Sequence, residues 1–354
     1  MKQRYFWTPV LLAGILLLCC GCGSRLFTLE GELTGTAVTE NGTVLTLKVE
    51  KEKERTVLVD QSTQVFGNGL MNPEQLRSGA IQNGFRLMVE LTAAPGSPRQ
   101  AKFLSASAVK EEYALPDGTA LAAWRSDSAL PTTYSLEEDP DTVLVYENTF
   151  PGPESVYVVG LESYDDLTKT AQAQVTAYFQ QLGLLYDLNE VLQDALTDYR
   201  QKSADGKLTE FSSWNVGQET SPYGASSTVM YFLTSTTLPL NGQSCDEILR
   251  CDAFDRTTGE HLNNEDLFTC PKEELLSALL SSQDWTLEGD TQPSLTEMQA
   301  AFRPEWLLIS PHGVEINFPS GTLPSQEYSY MLGLDYTQQL QVLLRPGTQP
   351  LPQE

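Results

Sequence analysis

The chain has 354 residues and carries 22 basic against 47 acidic side chains, a net charge near −25, with 2 histidines and 6 cysteines. Such an acidic excess argues against nucleic acid, whose phosphates are bound through positive charge, and against docking on anionic headgroups. It favours solubility and draws basic partners by long-range attraction.

At the N-terminus, Lys2 and Arg4 precede an apolar run, Tyr5–Leu18, that holds no charged residue and leads into Cys19-Cys20-Gly21-Cys22. The run spans 14 residues, short of the ~20 a membrane-crossing helix needs. A charged start, a short apolar centre and a small-residue border read as a signal peptide over residues 1–21. Gly21-Cys22 is the small residue–cysteine pair that a lipoprotein signal peptidase requires. Cys22 is therefore the expected lipidation site and residues 22–27 a lipidated tether, as in bacterial lipoproteins. Cys19 stands where such signals usually carry leucine, which leaves Cys20 as an alternative site. An uncleaved anchor is the other alternative, since hydropathy does not separate the two. Both put the later residues at the cell membrane, on its extracytoplasmic face. Cleavage would remove Lys2 and Arg4, leaving 20 basic against 47 acidic residues and a net charge near −27.

A mature chain of this length is expected to hold two domains. Over residues 28–110, Thr28–Thr39 and Thr43–Val49 flank Asn41-Gly42, a strong hairpin signal. In the second segment Leu45, Leu47 and Val49 alternate with Val44, Thr46 and Lys48. Arg55–Asp60, Thr63–Phe66, Phe85–Leu91 and Lys102–Val109 follow, punctuated by Gly67-Asn68-Gly69, Asn83-Gly84 and Pro95-Gly96. Short strands at this spacing predict a small antiparallel β-barrel, closed or nearly so. The glycine-containing first strand, the stretch Val57–Val65 and Gly84-Phe85-Arg86-Leu87-Met88-Val89 resemble small OB-like domains of exported bacterial proteins. The resemblance implies a spacer or scaffold; the basic groove that single-strand binding needs is missing.

Residues 111–150 carry turn chemistry and acidic charge with little periodicity, and read as a linker with an incoming strand near Asp141–Tyr146. From there to residue 346 an α+β domain is expected, with a mainly antiparallel sheet and three to four helices; residues 347–354 read as a flexible tail. Val156–Leu161 reads as a strand. Ser163 and Asp166 have capping-box spacing before a helix whose face is Leu167, Ala171, Val175, Tyr178, Phe179 and Leu182, stopped by Gly183. A second helix fits Asn189–Arg200, then strands at Leu208–Val216 and Thr228–Thr234, and a helix at Lys272–Leu280. The end reads as strand Trp306–Ser310, a His312-Gly313 turn needing positive φ at the glycine, strands Val314–Phe318 and Tyr328–Leu334, and helix Tyr336–Leu343.

Cys245, Cys251 and Cys270 remain once the signal cysteines are set aside. An odd number allows one disulfide at most, and an oxidising exterior permits it. No C-x-x-C pair is present, so a structural bridge is favoured over metal. His261 and His312 both sit beside predicted turns, no G-x-S-x-G elbow exists, and Asp252–Asp266 lacks the spacing of a calcium loop. No catalytic residue, metal or cofactor is therefore expected, and the chain does not read as an enzyme.

Residues 245–345 carry a wider resemblance. Asp252–Leu262 with Glu265-Asp266-Leu267-Phe268, then Phe302–Phe318, then Tyr328–Tyr336 are similar to the exported domain of lysozyme-sensing anti-sigma factors of the RsiV type. The same domain is joined to peptidoglycan deacetylases of the PdaC type. Residues 151–346 would be this RsiV-like domain. The motifs read mainly as structural: Thr258-Gly259 as a hairpin turn, Asp266 as a cap, and Leu267 and Phe268 as core. The resemblance implies a binding or sensing module for a protein ligand, basic as lysozyme is, or for peptidoglycan. Trp306, Tyr328 and Tyr330 would be its candidate aromatic contacts, with core packing as their other reading. A cell-wall hydrolase accessory or envelope enzyme, and a structural lipoprotein without a dedicated ligand, stay as alternatives.

Overall fold

The computed structural model describes residues 27–351, apart from 50–52, 68, 82, 93–97, 127–131, 137–138, 150–163, 165–166, 209–213, 241–243 and 284–291. Cys22, the signal segment 1–21 and the strand expected at Val156–Leu161 lie outside the described residues. The fold is α+β. The chain divides into two compact units, Met1–Lys110 and Glu111–Glu354.

The first unit holds β1 (Phe27–Thr39), β2 (Gly42–Val49), β3 (Lys53–Val59), β4 (Gln64–Phe66), helix α1 (Pro73–Arg77), β5 (Phe85–Leu91) and most of β6 (Arg99–Ala114). β1 pairs with β2 and with β5, β2 with β3, and β5 with β6, all antiparallel. Alternation sends Leu45, Leu47, Val57, Val59, Leu87 and Val89 into one core. Asn72 caps α1 through the Glu74 amide, and the helix drives Leu76 into that core. The expected small antiparallel barrel, closed or nearly so, needs correction in strand direction and closure. β3 meets β6 through two parallel pairs, Val57 with Arg99 and Leu58 with Gln100, so the ring is only stitched at that seam. β4 also runs parallel to β6.

The second unit opens with β7 (Ala120–Arg125), β8 (Thr132–Leu136) and β9 (Asp139–Thr149). Three strands thus occupy the stretch expected as a linker with one incoming strand, and the incoming strand expected near Asp141–Tyr146 lies within β9. Leu121, Ala123, Tyr134 and Val145 are buried there, an apolar face too broken by Thr, Ser and Pro to show as periodicity. Helices α2 (Lys169–Leu182) and α3 (Leu188–Ala204) then cross over to β10 (Trp214–Ala225), which runs parallel to β9 as such a crossover requires. β11 (Val229–Leu240), β12 (Ser244–Asp255) and the short β13 (His261–Leu262) continue the sheet antiparallel.

This sheet is covered on both faces. On one, Ala171, Val175 and Phe179 of α2 pack on Ala225, Met230, Phe232 and Phe254, while Leu192 and Leu196 of α3 pack on Trp214 and Val216. On the other, Val229, Tyr231, Cys251 and Ala253 meet a second layer. That layer contains α4 (Leu275–Leu280), α5 (Leu295–Ala301), α6 (Gln338–Leu343) and a small sheet of β14 (Leu307–Ile309), β15 (Gly313–Phe318) and β16 (Tyr330–Asp335). Double coverage explains why Val229–Leu233 is an unbroken apolar run instead of an alternating one.

Several boundaries move. α2 is capped by Thr168, whose hydroxyl accepts the Ala171 amide, not from Ser163. α5 opens on a full Ser294–Glu297 capping box. Five helices stand among the described residues of this unit where three to four were expected. Gly313 does not adopt positive φ; it lies in β15, and a Cβ there would fall 2.3 Å from the Leu334 carbonyl oxygen. The residues expected as a loose tail are docked through residue 351: Tyr231 donates to the Thr348 carbonyl at 2.5 Å and the Leu351 amide to Ala225 at 2.9 Å.

Candidate functional site

On β12, Arg250 and Asp252 are two residues apart and so share the face that meets α2, while Cys251 points into the opposite layer. Asp252 is 1 % exposed. A lone carboxylate at that depth is costly, and three neighbours answer it. Arg250 donates through Nε to Oδ2 at 2.8 Å and through Nη2 to Oδ1 at 2.9 Å. The Tyr178 hydroxyl donates to Oδ1 at 2.7 Å and itself accepts from Arg250 Nη2 at 2.8 Å. His261 Nε2 lies 3.1 Å from the same oxygen.

The chain builds this cluster from three elements. Tyr178 comes from α2, one residue before the buried Phe179. Arg250 and Asp252 come from β12, and His261 from β13 across the Thr257–Glu260 hairpin. In that hairpin Asp255 Oδ1 accepts the amides of Thr257 and Thr258, and Gly259 takes φ 76°. The glycine is required twice: its conformation disfavours a side chain, and a Cβ would lie 2.6 Å from the Ala171 carbonyl oxygen of α2. The turn is thereby pressed against the helix, and the rings of Tyr178 and His261 stack at 4.3 Å with a 13° tilt.

Burial alone would raise the pKa of Asp252, but hydrogen bonds from His261, Arg250 and Tyr178, with the Arg250 charge, hold it below the usual carboxylate range. Burial also penalises the Arg250 cation, and the Asp252 contact outweighs this and raises its pKa. Burial, then the Asp252 charge, pushes the Tyr178 hydroxyl up. Asp252 is thus an anion fixed among donors. His261 turns Nε2 to Asp252, and its other imidazole nitrogen has no hydrogen-bond partner among the described residues.

Two pockets open beside the cluster and share His261 as a wall. One, about 260 Å³, lies over Asn263, Asn264, Pro304 and Glu305. The other, about 550 Å³, runs between α2 and the hairpin, lined by Thr170, Gln174 and Gln181 on one side and Thr258, Glu260 and His261 on the other. That volume is in the range of small-ligand sites. Asn264, buried beneath the first pocket, donates to the carbonyls of Cys251 at 2.7 Å and Pro304 at 3.1 Å and ties the layers together there. No group of three His, Cys, Asp or Glu side chains suited to a metal occurs among the described residues.

The residues singled out from sequence lie elsewhere. Trp306 and Tyr330 pack half-buried on the core of the second layer, and the Tyr330 hydroxyl is buried without a partner among the described residues. Tyr328 is 58 % exposed. None of the three lines either pocket. Cys251 and Cys270 are free thiols, so no bridge joins them. Cys245 and Cys251 share β12, which sets their Cα atoms on the order of 20 Å apart, far beyond the roughly 7 Å a disulfide allows. His261, Arg250, Asp252 and Tyr178 were missed. The available signal was Arg250-x-Asp252: two opposite charges on one face of a strand, next to the core residues Cys251, Ala253 and Phe254.

No known family's sequence profile matches the chain, and no curated protein does. Among solved structures, it is similar to a DUF3298 family member from Bacteroides fragilis, at 14 % identity and a TM-score of 0.31, over 68 % of this chain and 92 % of that one. A DUF3298 family protein from Pseudomonas aeruginosa gives 12 % identity and a TM-score of 0.31, over 69 % and 95 %.

Proposed function

We propose that the protein is a lipid-anchored, extracytoplasmic binding or sensing module that engages a protein ligand, basic as lysozyme-like enzymes are, or a cell-wall ligand. In this reading residues 151–346 act as an RsiV-like ligand-binding domain. The OB-like first unit, whose ring order β1-β2-β3-β6-β5 supports that likeness, holds it away from the membrane at Cys22.

The observation that carries the reading is the saturation of the site's polar core. Asp252 has its donors, Arg250 its acceptors and Tyr178 one of each, and no hydroxyl or thiol among the described residues bonds His261. Such a network fixes the pocket walls and presents no activated nucleophile among the described residues. The acidic balance supports a basic partner through steering. The test is retention of the protein on immobilised lysozyme and on insoluble peptidoglycan. Retention on lysozyme that falls as salt rises, or retention on peptidoglycan, is expected; passage through both at low ionic strength would remove the reading. The anchor is tested by mass spectrometry for an acylated Cys22.

One observation favours the envelope-enzyme alternative: a buried carboxylate orients an imidazole whose second nitrogen is free. A zymogram on peptidoglycan separates the two, since clearing by the wild type and not by His261→Ala would favour the enzyme.

A further inference from the structure

The larger pocket has a consistent chemistry. No lysine or arginine lines it. Its one ionised wall is Glu260, and the side chains of Glu260, Gln174, Gln181 and Thr170 have no hydrogen-bond partner among the described residues. These side chains place five acceptor oxygens around one cleft between α2 and the hairpin, beside the second imidazole nitrogen of His261. Asp252 lies behind the wall, already neutralised by Arg250. An anion would meet Glu260 with no countercharge, whereas a cationic group would find a carboxylate and two amide oxygens. The chain's net charge near −25 draws ligands of the same sign as that group.

We infer that this pocket is a seat for a single guanidinium or ammonium group, carried by a basic peptide segment of the ligand, with Glu260 as its counter-ion and Gln174 and Gln181 as orienting acceptors. The inference rests on the binding-module reading and adds to it the chemical group recognised. Planar guanidinium suits the site better than ammonium, because it can bond a carboxylate and an amide oxygen side by side.

The full-length protein in detergent micelles is titrated by calorimetry with a capped Gly-Gly-Arg-Gly-Gly peptide, with the same peptide bearing neutral citrulline for arginine, and with a neutral chito-oligosaccharide. The arginine peptide is expected to bind at least about tenfold more tightly than the citrulline one. Glu260→Gln should erase that difference. Glu260 is exposed on a turn and its side chain holds nothing in place, so the variant should melt like the wild type; Gln181→Leu is the second variant, expected to weaken the arginine peptide only. Equal binding of the two peptides, binding of the saccharide alone, or an arginine preference unchanged in both variants would overturn the inference. If the wild type is retained on lysozyme or peptidoglycan yet shows no arginine preference, the inference fails while the binding module stands; if it is retained on neither, the module itself fails.

Discussion

Asp252 sets the tolerance of the second unit to single changes. Its carboxylate balances a guanidinium whose side chain is 19 % exposed, so removing one leaves the other buried and unpaired. Asp252→Ala should cost about 3–5 kcal/mol, read from the urea midpoint. The pH dependence follows from the same contacts. Because the folded-state pKa lies below the ordinary 3.8, the stabilisation is present above that value and lost as pH falls through the folded pKa. The stability gap between wild type and Asp252→Asn should therefore narrow from about pH 4 downward; a gap that is constant into acid would contradict the ionised assignment. The two described thiols should also differ. Cys251 is fully buried, which pushes its pKa up to about 12, whereas Cys270 is partly exposed. Iodoacetamide should label Cys270 in the folded protein and reach Cys251 only after unfolding, as peptide mass spectrometry would record.

At the scale of elements, the hairpin between β12 and β13 and its contact with α2 decide whether the pocket exists. Gly259→Val adds a branched side chain at positive φ and drives it into the Ala171 backbone. A loss of about 2–3 kcal/mol or more is expected, together with loss of the Tyr178–His261 ring stack, visible as a shift of the His261 imidazole resonances. The elements best legible in the sequence were those with a single dominant signal. The α2 face, the Thr258-Gly259 turn and the core positions Leu267 and Phe268 all had one. β7 and β8 were hidden because their inward residues are small or interrupted: Leu121-Ala122-Ala123-Trp124 has no polar alternation, and β8 is five residues of Thr, Tyr, Ser and Leu. The Ser294–Glu297 capping box could have been read and was not. The site was illegible for a different reason. Arg250, Asp252, Tyr178 and His261 are separated by up to 83 positions, and each alone has an ordinary explanation as surface charge, helix core or turn. Only the sheet register and the crossover of α2 bring them to one place.

For the molecule as a whole, the described C-terminal residues are part of the fold. Thr348 is buried and its carbonyl accepts a hydrogen bond from the Tyr231 hydroxyl, which comes from the central sheet. Deleting residues 347–354 should lower the melting temperature of the second unit and expose apolar surface, measured by dye binding, whereas a loose tail would leave both unchanged. A milder change, Tyr231→Phe, removes that hydrogen bond alone and should cost about 1 kcal/mol.

The two-sided burial of β11 and β12 has a consequence in time. One face can be sealed by α2 and α3, which precede both strands in the chain, but the other waits for β14, β15 and the last helix. A polypeptide delivered N-terminus first thus holds Val229, Tyr231, Cys251 and Ala253 incompletely covered until α6 ends at Leu343, 90 residues after Ala253. Closing contacts that distant in sequence is slow, and an uncovered sheet is prone to self-association meanwhile. The heavy negative charge would then serve as a guard during assembly, keeping half-finished copies apart until the final strand and tail snap the lid shut.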